Sequence, residues 1–275
     1  MRFLLFVFCV LLMCDLSSQE LYVSTEPASN MPSHSIGLRF NNELMPPYSN
    51  PTQGVNNPGH MYRFTPEIMV GINKKWMAHA SLLASNFHHS NFSFEGAATY
   101  LKYRFLSFDK VQSHFRVAAY GKASIIDNPI QYNDINLQGD NSGYGGGLIM
   151  TQLLHKLALS FTGGYVRSTN NLNNSLAPAQ PNEAYNYSLS AGYLLLPFKY
   201  KNYQQPNLNL YVELLGKSVP SMAQSYWDIA PAIQVIIKSR MRLDLSYRKQ
   251  IAGNMLRINT QSFVLKFEYN IFNAY

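Results

Sequence analysis

The chain closes with FVLKFEYNIFNAY, residues 263–275, in which every second residue belongs to a different surface. Phe263, Leu265, Phe267, Tyr269 and Ile271 form one face; Val264, Lys266, Glu268 and Asn270 form the other. A period of two marks a β-strand with unlike surroundings on its two sides. In a soluble sandwich the aromatic face would enter a core. In a transmembrane barrel it would meet lipid, with Lys266 and Glu268 inside. The remaining sequence has to decide between them.

Composition favours the barrel. Charged residues are 13% of the 275, well below the ~25% of an ordinary soluble protein. Tyr (19) and Phe (16) are abundant, and the mean hydropathy is −0.15. Half the residues of a barrel strand face water, so few charges, many aromatics and middling hydropathy belong together.

Residues 1–18 read as a secretory signal: Arg2, the apolar run Phe3 to Met13, then Ser17 and Ser18. That run is too short to span a bilayer as a helix, and no later stretch comes closer. Both cysteines, Cys9 and Cys14, lie in the signal. Met13 before Cys14 argues against a lipoprotein site, where a small residue is expected. Cleavage near Ser18 leaves no thiol, hence no disulfide framework and no cysteine metal site. Residues 19–33, QELYVSTEPASNMPS, are expected to form an N-terminal periplasmic segment or a small plug, and 34–275 the barrel.

Period-two alternation predicts strands near 34–44, 60–72, 75–86, 92–106, 113–126, 143–154, 156–168, 184–197, 207–217, 226–238, 240–250 and 258–272. Running the last strand toward the periplasm places turns near Asn73-Lys74, Ser107 to Gln112, His155, Phe198 to Pro206, and Ser239. The Asn-, Pro- and Gly-rich stretches, PPYSNPTQGVNNPGH (46–60) and STNNLNNSLAPAQPNE (168–183) among them, then fall on the outer side. Short periplasmic turns with longer external loops are usual for outer-membrane barrels. The predicted fold is therefore all-β: a single antiparallel up-and-down transmembrane β-barrel of about twelve strands.

The polar faces supply the candidate lumen-lining residues: Arg39, Arg63, Glu67, Lys102, Arg104, Arg116, Lys122, Glu213, Lys217, Asp228, Arg242, Asp244, Arg248, Lys266 and Glu268. Bases outnumber acids, so a positive interior is expected. The bases alternate along strands and are not gathered in a patch, which argues against nucleic acid as a partner. GYGGG (143–147) lacks the spacing and following helix of a phosphate cradle, and reads as strand of low side-chain bulk facing the lumen or packed on aromatics. His60, His88 and His89 fall on outer loops and His79 and His114 on the inward face, with no spacing diagnostic of metal. No cofactor is called for.

FHHSN (87–91) resembles the short His-x-Ser-Asn motif of outer-membrane phospholipase and lipid A deacylases, in which the His activates the Ser. If the preceding alternation runs on, His88 and Ser90 point outward, toward the outer leaflet. Lys102 stands about where the phospholipase has its orienting Asn.

LYVSTEPASNMPSHSIGLRF, RFTPEIMVGINKKWMAHASLLASNF and YLKYRF resemble a family of transporter-like outer-membrane β-barrel proteins of the Bacteroidota over most of the chain beyond the signal. The resemblance implies the barrel and its location and names no substrate. The leading expectation is a narrow channel for small anionic or neutral solutes; the others are a lipid hydrolase at His88 and Ser90 and a structural or docking barrel. The expected partners are outer-membrane lipid and lipopolysaccharide, the barrel-assembly machinery through the aromatic C-terminus (Phe272, Tyr275), and the solute itself.

Overall fold

A computed structural model describes residues 22–51, 54–88, 91–111, 113–197 and 205–275. The expected signal (1–18), Ser90 and His89 lie outside the described residues. Twelve antiparallel strands close into one barrel. They are β1 (Ser35–Met45), β2 (Met61–Gly71), β3 (Trp76–Ser85), β4 (Ser93–Lys110), β5 (Ser113–Ile126), β6 (Gly143–Leu154), β7 (Leu157–Ser168), β8 (Glu183–Leu196), β9 (Asn207–Val219), β10 (Gln224–Ile237), β11 (Met241–Gly253) and β12 (Gln261–Ile271).

Each strand pairs with its sequence neighbours, and the seam closes where β1 meets β12, from Ile36 opposite Ile271 to Leu44 opposite Phe263. Closure leaves no edge, as it must where no water can satisfy a free backbone group. On β12 the two faces separate cleanly: Phe263 and Leu265 are each 45% exposed, Glu268 is 2% exposed. The same sorting runs round the wall. Leu101, Phe161, Leu189, Val212, Ile233, Leu243 and Leu245 point out, whereas Arg39, Lys102, Glu213, Asp228, Arg242 and Asp244 are buried inside. An apolar belt outside and a charged filling inside is the arrangement lipid selects.

The ends differ. β10 and β11 join through Lys238 and Ser239, both at positive φ (52° and 55°), with the Arg240 amide on the Ile237 carbonyl. That tight turn matches the right-handed twist of its strands. β4 does not stop near Ser107. A bulge between Arg104 and Leu106 lets it run on to pair Lys110 with Ser113. The bulge also turns Asp109 onto His114 (2.7 Å) and Arg116 (2.9 Å). The outer loops are longer. The first carries a short hairpin, Tyr48–Asn50 with Val55–Asn57, and residues 127–142 fold inward over the lumen.

Candidate functional site

The lumen is entered from both ends by elements that are not strands. From the periplasmic side, residues 22–33 run inside the wall. Glu213 on β9 accepts the backbone N–H groups of Val23 (3.0 Å), Ser24 (2.7 Å) and Thr25 (3.0 Å). The Lys102 ammonium on β4 donates to the carbonyls of Pro27 and Ser29, each at 2.7 Å. Lys266 donates to the Val23 carbonyl, and Thr151 accepts from the Ala28 amide at 2.9 Å. Two prolines keep this stretch from pairing as a further strand, so its backbone groups need side-chain partners, and the wall supplies them. Tyr22 and Val23 pack against Leu153, Ala158 and Tyr211; Met31 packs against Met69 and Met77.

From the outer side, the 127–142 loop is held by ion pairs. Asp140 meets Arg63 at 2.6 Å and the His88 ring at 3.0 Å. Asp134 meets Lys217 at 2.5 Å and Arg257 at 3.4 Å. Asn128 donates to Glu95, and Ile135 and Leu137 are buried against Val166, Tyr226 and Met255. Burial opposes the charge on both loop carboxylates. The Arg63 guanidinium and the His88 hydrogen bond overcome it at Asp140, and Lys217 and Arg257 overcome it at Asp134, so both are held below the ordinary carboxylate range.

Between the closures remains a cavity of about 280 Å³. Glu26, Arg39, Glu67 and His79 line its floor; Lys122, Lys217, Arg248 and the loop residues Ile135 to Gln138 line its roof. Arg39 bridges Glu26 (2.6 Å), Glu67 (2.9 Å) and Glu268 (2.9 Å). His79 adds a contact to Glu67 at 3.3 Å. Arg242 joins Asp244 (3.0 Å) to Glu268 (3.0 Å). Asp228 holds Arg248 (2.6 Å) and Arg257 (2.8 Å), and Arg257 lies 3.6 Å over the Tyr226 ring. Arg104 sits at the periplasmic rim on the Lys74 carbonyl (2.7 Å), and Arg116 reaches Ser29 (2.8 Å).

Two expectations need correction. His88 does not point to lipid. β3 ends at Ser85, whose hydroxyl takes the Phe87 amide (3.0 Å); the chain bends there and His88 turns inward onto Asp140, its side chain 1% exposed. Nor does the interior carry the two-to-one excess of bases that alternation suggested. Glu26, Glu95, Asp134 and Asp140 all join it from outside the regular pattern. Glu95 faces inward because a bulge at Gly96 (φ +150°) shifts the phase of β4, and a Cβ at Gly96 would meet the Ile125 carbonyl at 2.1 Å. The glycine next to an acid was the available signal. The loop and N-terminal acids have no periodicity to betray them.

A closed barrel with an apolar outer belt and a charged lumen is an outer-membrane β-barrel, and its fold is that of outer-membrane channels. No family model and no curated protein matches the chain. Among solved structures it is similar to the COG4313 outer membrane channel from Pseudomonas putida F1. The identity is 11%, over 91% of this chain and 100% of that one, with a TM-score of 0.55. A more distant likeness is to the KdgM porin, at 10% identity over 85% and 98% of the two chains, TM-score 0.47. At such identities the likeness is one of fold.

Proposed function

We propose that the protein is a narrow outer-membrane channel for small anionic or neutral solutes, closed at rest by residues 22–33 and narrowed, though left passable, by the 127–142 loop. The observation that carries this reading is the cavity left between the two closures: a barrel serving only as a scaffold has no need of a charged chamber under a folded-in loop. The plug is bound by hydrogen bonds rather than as a strand of the wall, so it can leave without opening the sheet. Lys122, at the roof and without an ion-pair partner among the described residues, supplies positive potential along the path. Reversal potentials in planar bilayers, with residues 20–32 deleted to open the path, test it. Anion preference is expected; cation preference, or a silent barrel, contradicts it.

Membership in the Bacteroidota barrel family and recognition by the assembly machinery belong to the same reading. Tyr275 is tied at the periplasmic rim, its hydroxyl on the Gly71 carbonyl (3.0 Å) and its ring against His34. Truncation of 272–275 is expected to abolish heat-modifiable barrel formation. The hydrolase reading keeps one supporting feature, the His88–Asp140 pair, which has the form of a base with its orienting acid. It points away from lipid and shares its acid with Arg63. Hydrolysis of phospholipid by wild type, lost in Ser90→Ala, would revive it.

A further inference from the structure

Among the described residues the lumen cations meet a carboxylate or a carbonyl almost throughout, and the one that meets neither is informative. Arg39, Arg63, Arg242, Arg248 and Lys217 each meet at least one carboxylate. Lys122, on the inward face of β5, has no hydrogen-bond or ion-pair partner among the described residues. It lines the cavity, and is only partly buried because it borders that space. An ammonium placed in a protein interior without a counter-charge is costly unless something supplies one.

The surroundings describe what that would be. In register, Lys122 stands between Tyr100 on β4 and Gly145 on β6, so one flank is aromatic and the other bare. Tyr100 stacks on Tyr120 at 5.5 Å. The Tyr120 hydroxyl lies over the glycine wall, 2.3 Å from where a Cβ on Gly164 would be, and takes the Asn186 amide at 3.3 Å. It remains free to donate. Among the described residues the Tyr100 hydroxyl and Asn186 Oδ1 have no hydrogen-bond partner. Ala98, Ala123, Ile149 and Val166 complete an apolar lining.

We infer that Lys122 and the Tyr100–Tyr120 pair form a binding site for a small organic monocarboxylate with a planar or apolar body. Its carboxylate would sit on the lysine and the Tyr120 hydroxyl, and its body against the rings and the glycine wall. A phosphoryl group fits less well. Phosphate is best met by guanidinium forks, and those that line the cavity, Arg39 and Arg248, are already taken by acids; Lys122 is a point charge. At about 280 Å³ the cavity is at the small end of ligand sites. This inference names the solute class of the channel proposed above, and relies on that reading only for the ligand's route.

Isothermal titration of the detergent-folded full chain with benzoate tests the site, with benzamide and inorganic phosphate as comparison probes. The expected result is benzoate binding that weakens about tenfold or more in Lys122→Met, is kept in Lys122→Arg, and is at least that much weaker for benzamide and phosphate. No binding of benzoate, unchanged affinity in Lys122→Met, or phosphate binding as well as benzoate overturns it. Should Lys122→Met not fold, benzamide against benzoate on wild type reads the same requirement for charge. Bilayer conductance after deletion of residues 20–32, which opens the path, separates the two proposals when set beside benzoate binding by the full chain. A conducting barrel that ignores benzoate removes the site alone; a silent barrel that binds it removes the channel alone.

Discussion

The two closures of the lumen are built on opposite plans. At the periplasmic side the wall provides most of the charged side chains and grips the N-terminal segment largely by its backbone: Glu213 accepts three amides and Lys102 and Lys266 donate to carbonyls, with Glu26 on Arg39 as the segment's own ion pair. At the outer side the loop brings its own acids, Asp134 and Asp140, to bases of the wall and of the neighbouring loop. A plug gripped largely by its backbone tolerates change at plug side chains that make no wall contact and depends on single wall residues. A loop held by ion pairs depends on its own carboxylates and on their ionisation.

That contrast can be broken first at Glu213. It is fully buried, so Glu213→Ala strands three amide donors without water. The expected cost to docking is about 3 kcal/mol or more. Amide exchange at Val23, Ser24 and Thr25 should quicken by about a hundredfold or more, and exchange in β1–β12 should stay slow. Substitution of a plug side chain that makes no wall contact, such as Ser24→Ala, should leave exchange nearly unchanged.

A smaller effect is expected at the outer end. Asp140→Asn removes one charge from a buried pair with Arg63 and leaves Asp134 in place. Loop docking should weaken by about 2 kcal/mol, read as faster proteolysis within 127–142 with the plug still protected. Acid should do the same without mutation. A carboxyl whose folded-state pKa is depressed stabilises the folded form above its ordinary value, here 3.8, and that stabilisation is lost as pH falls through the depressed one. The loop should therefore stay docked from neutral pH down to about 4 and loosen only below it. Loosening already at pH 6 would mean the ion pairs do not hold it.

The smallest effect lies outside both closures. Ser239 occupies a positive-φ turn position (55°) where glycine has no steric penalty. Ser239→Gly should raise barrel stability by up to about 1 kcal/mol, measured by urea unfolding in detergent, without touching exchange in either closure.

The difference between the two plans also explains what the sequence disclosed. The wall was legible because lipid on one side and water on the other force a period of two, as Phe263 to Asn270 display. Strand limits at 113–126 and 143–154 follow from that period alone. Where the period is interrupted, legibility stops. The Gly96 bulge hid Glu95, and Arg104–Leu106 hid the true end of β4. Asp134, Asp140 and Arg257 sit in loops, whose residues obey no alternation. His88 was misdirected because the strand was extended past Ser85 on paper. Glu26 belongs to a segment whose two prolines said only that it was not a strand. Lys122 is the instructive case: alternation puts it on the inward face, but only the packed lumen reveals that, among the described residues, it meets neither a carboxylate nor a carbonyl.

The central claim is that the N-terminal segment, docked through Glu213, closes an otherwise passable barrel. Single-channel recording of the full chain beside Glu213→Ala tests it most directly. The account predicts little or no steady conductance for the full chain and a larger, steady conductance for the variant. Equal conductance in the two, with both folded by heat-modifiable mobility, would contradict it.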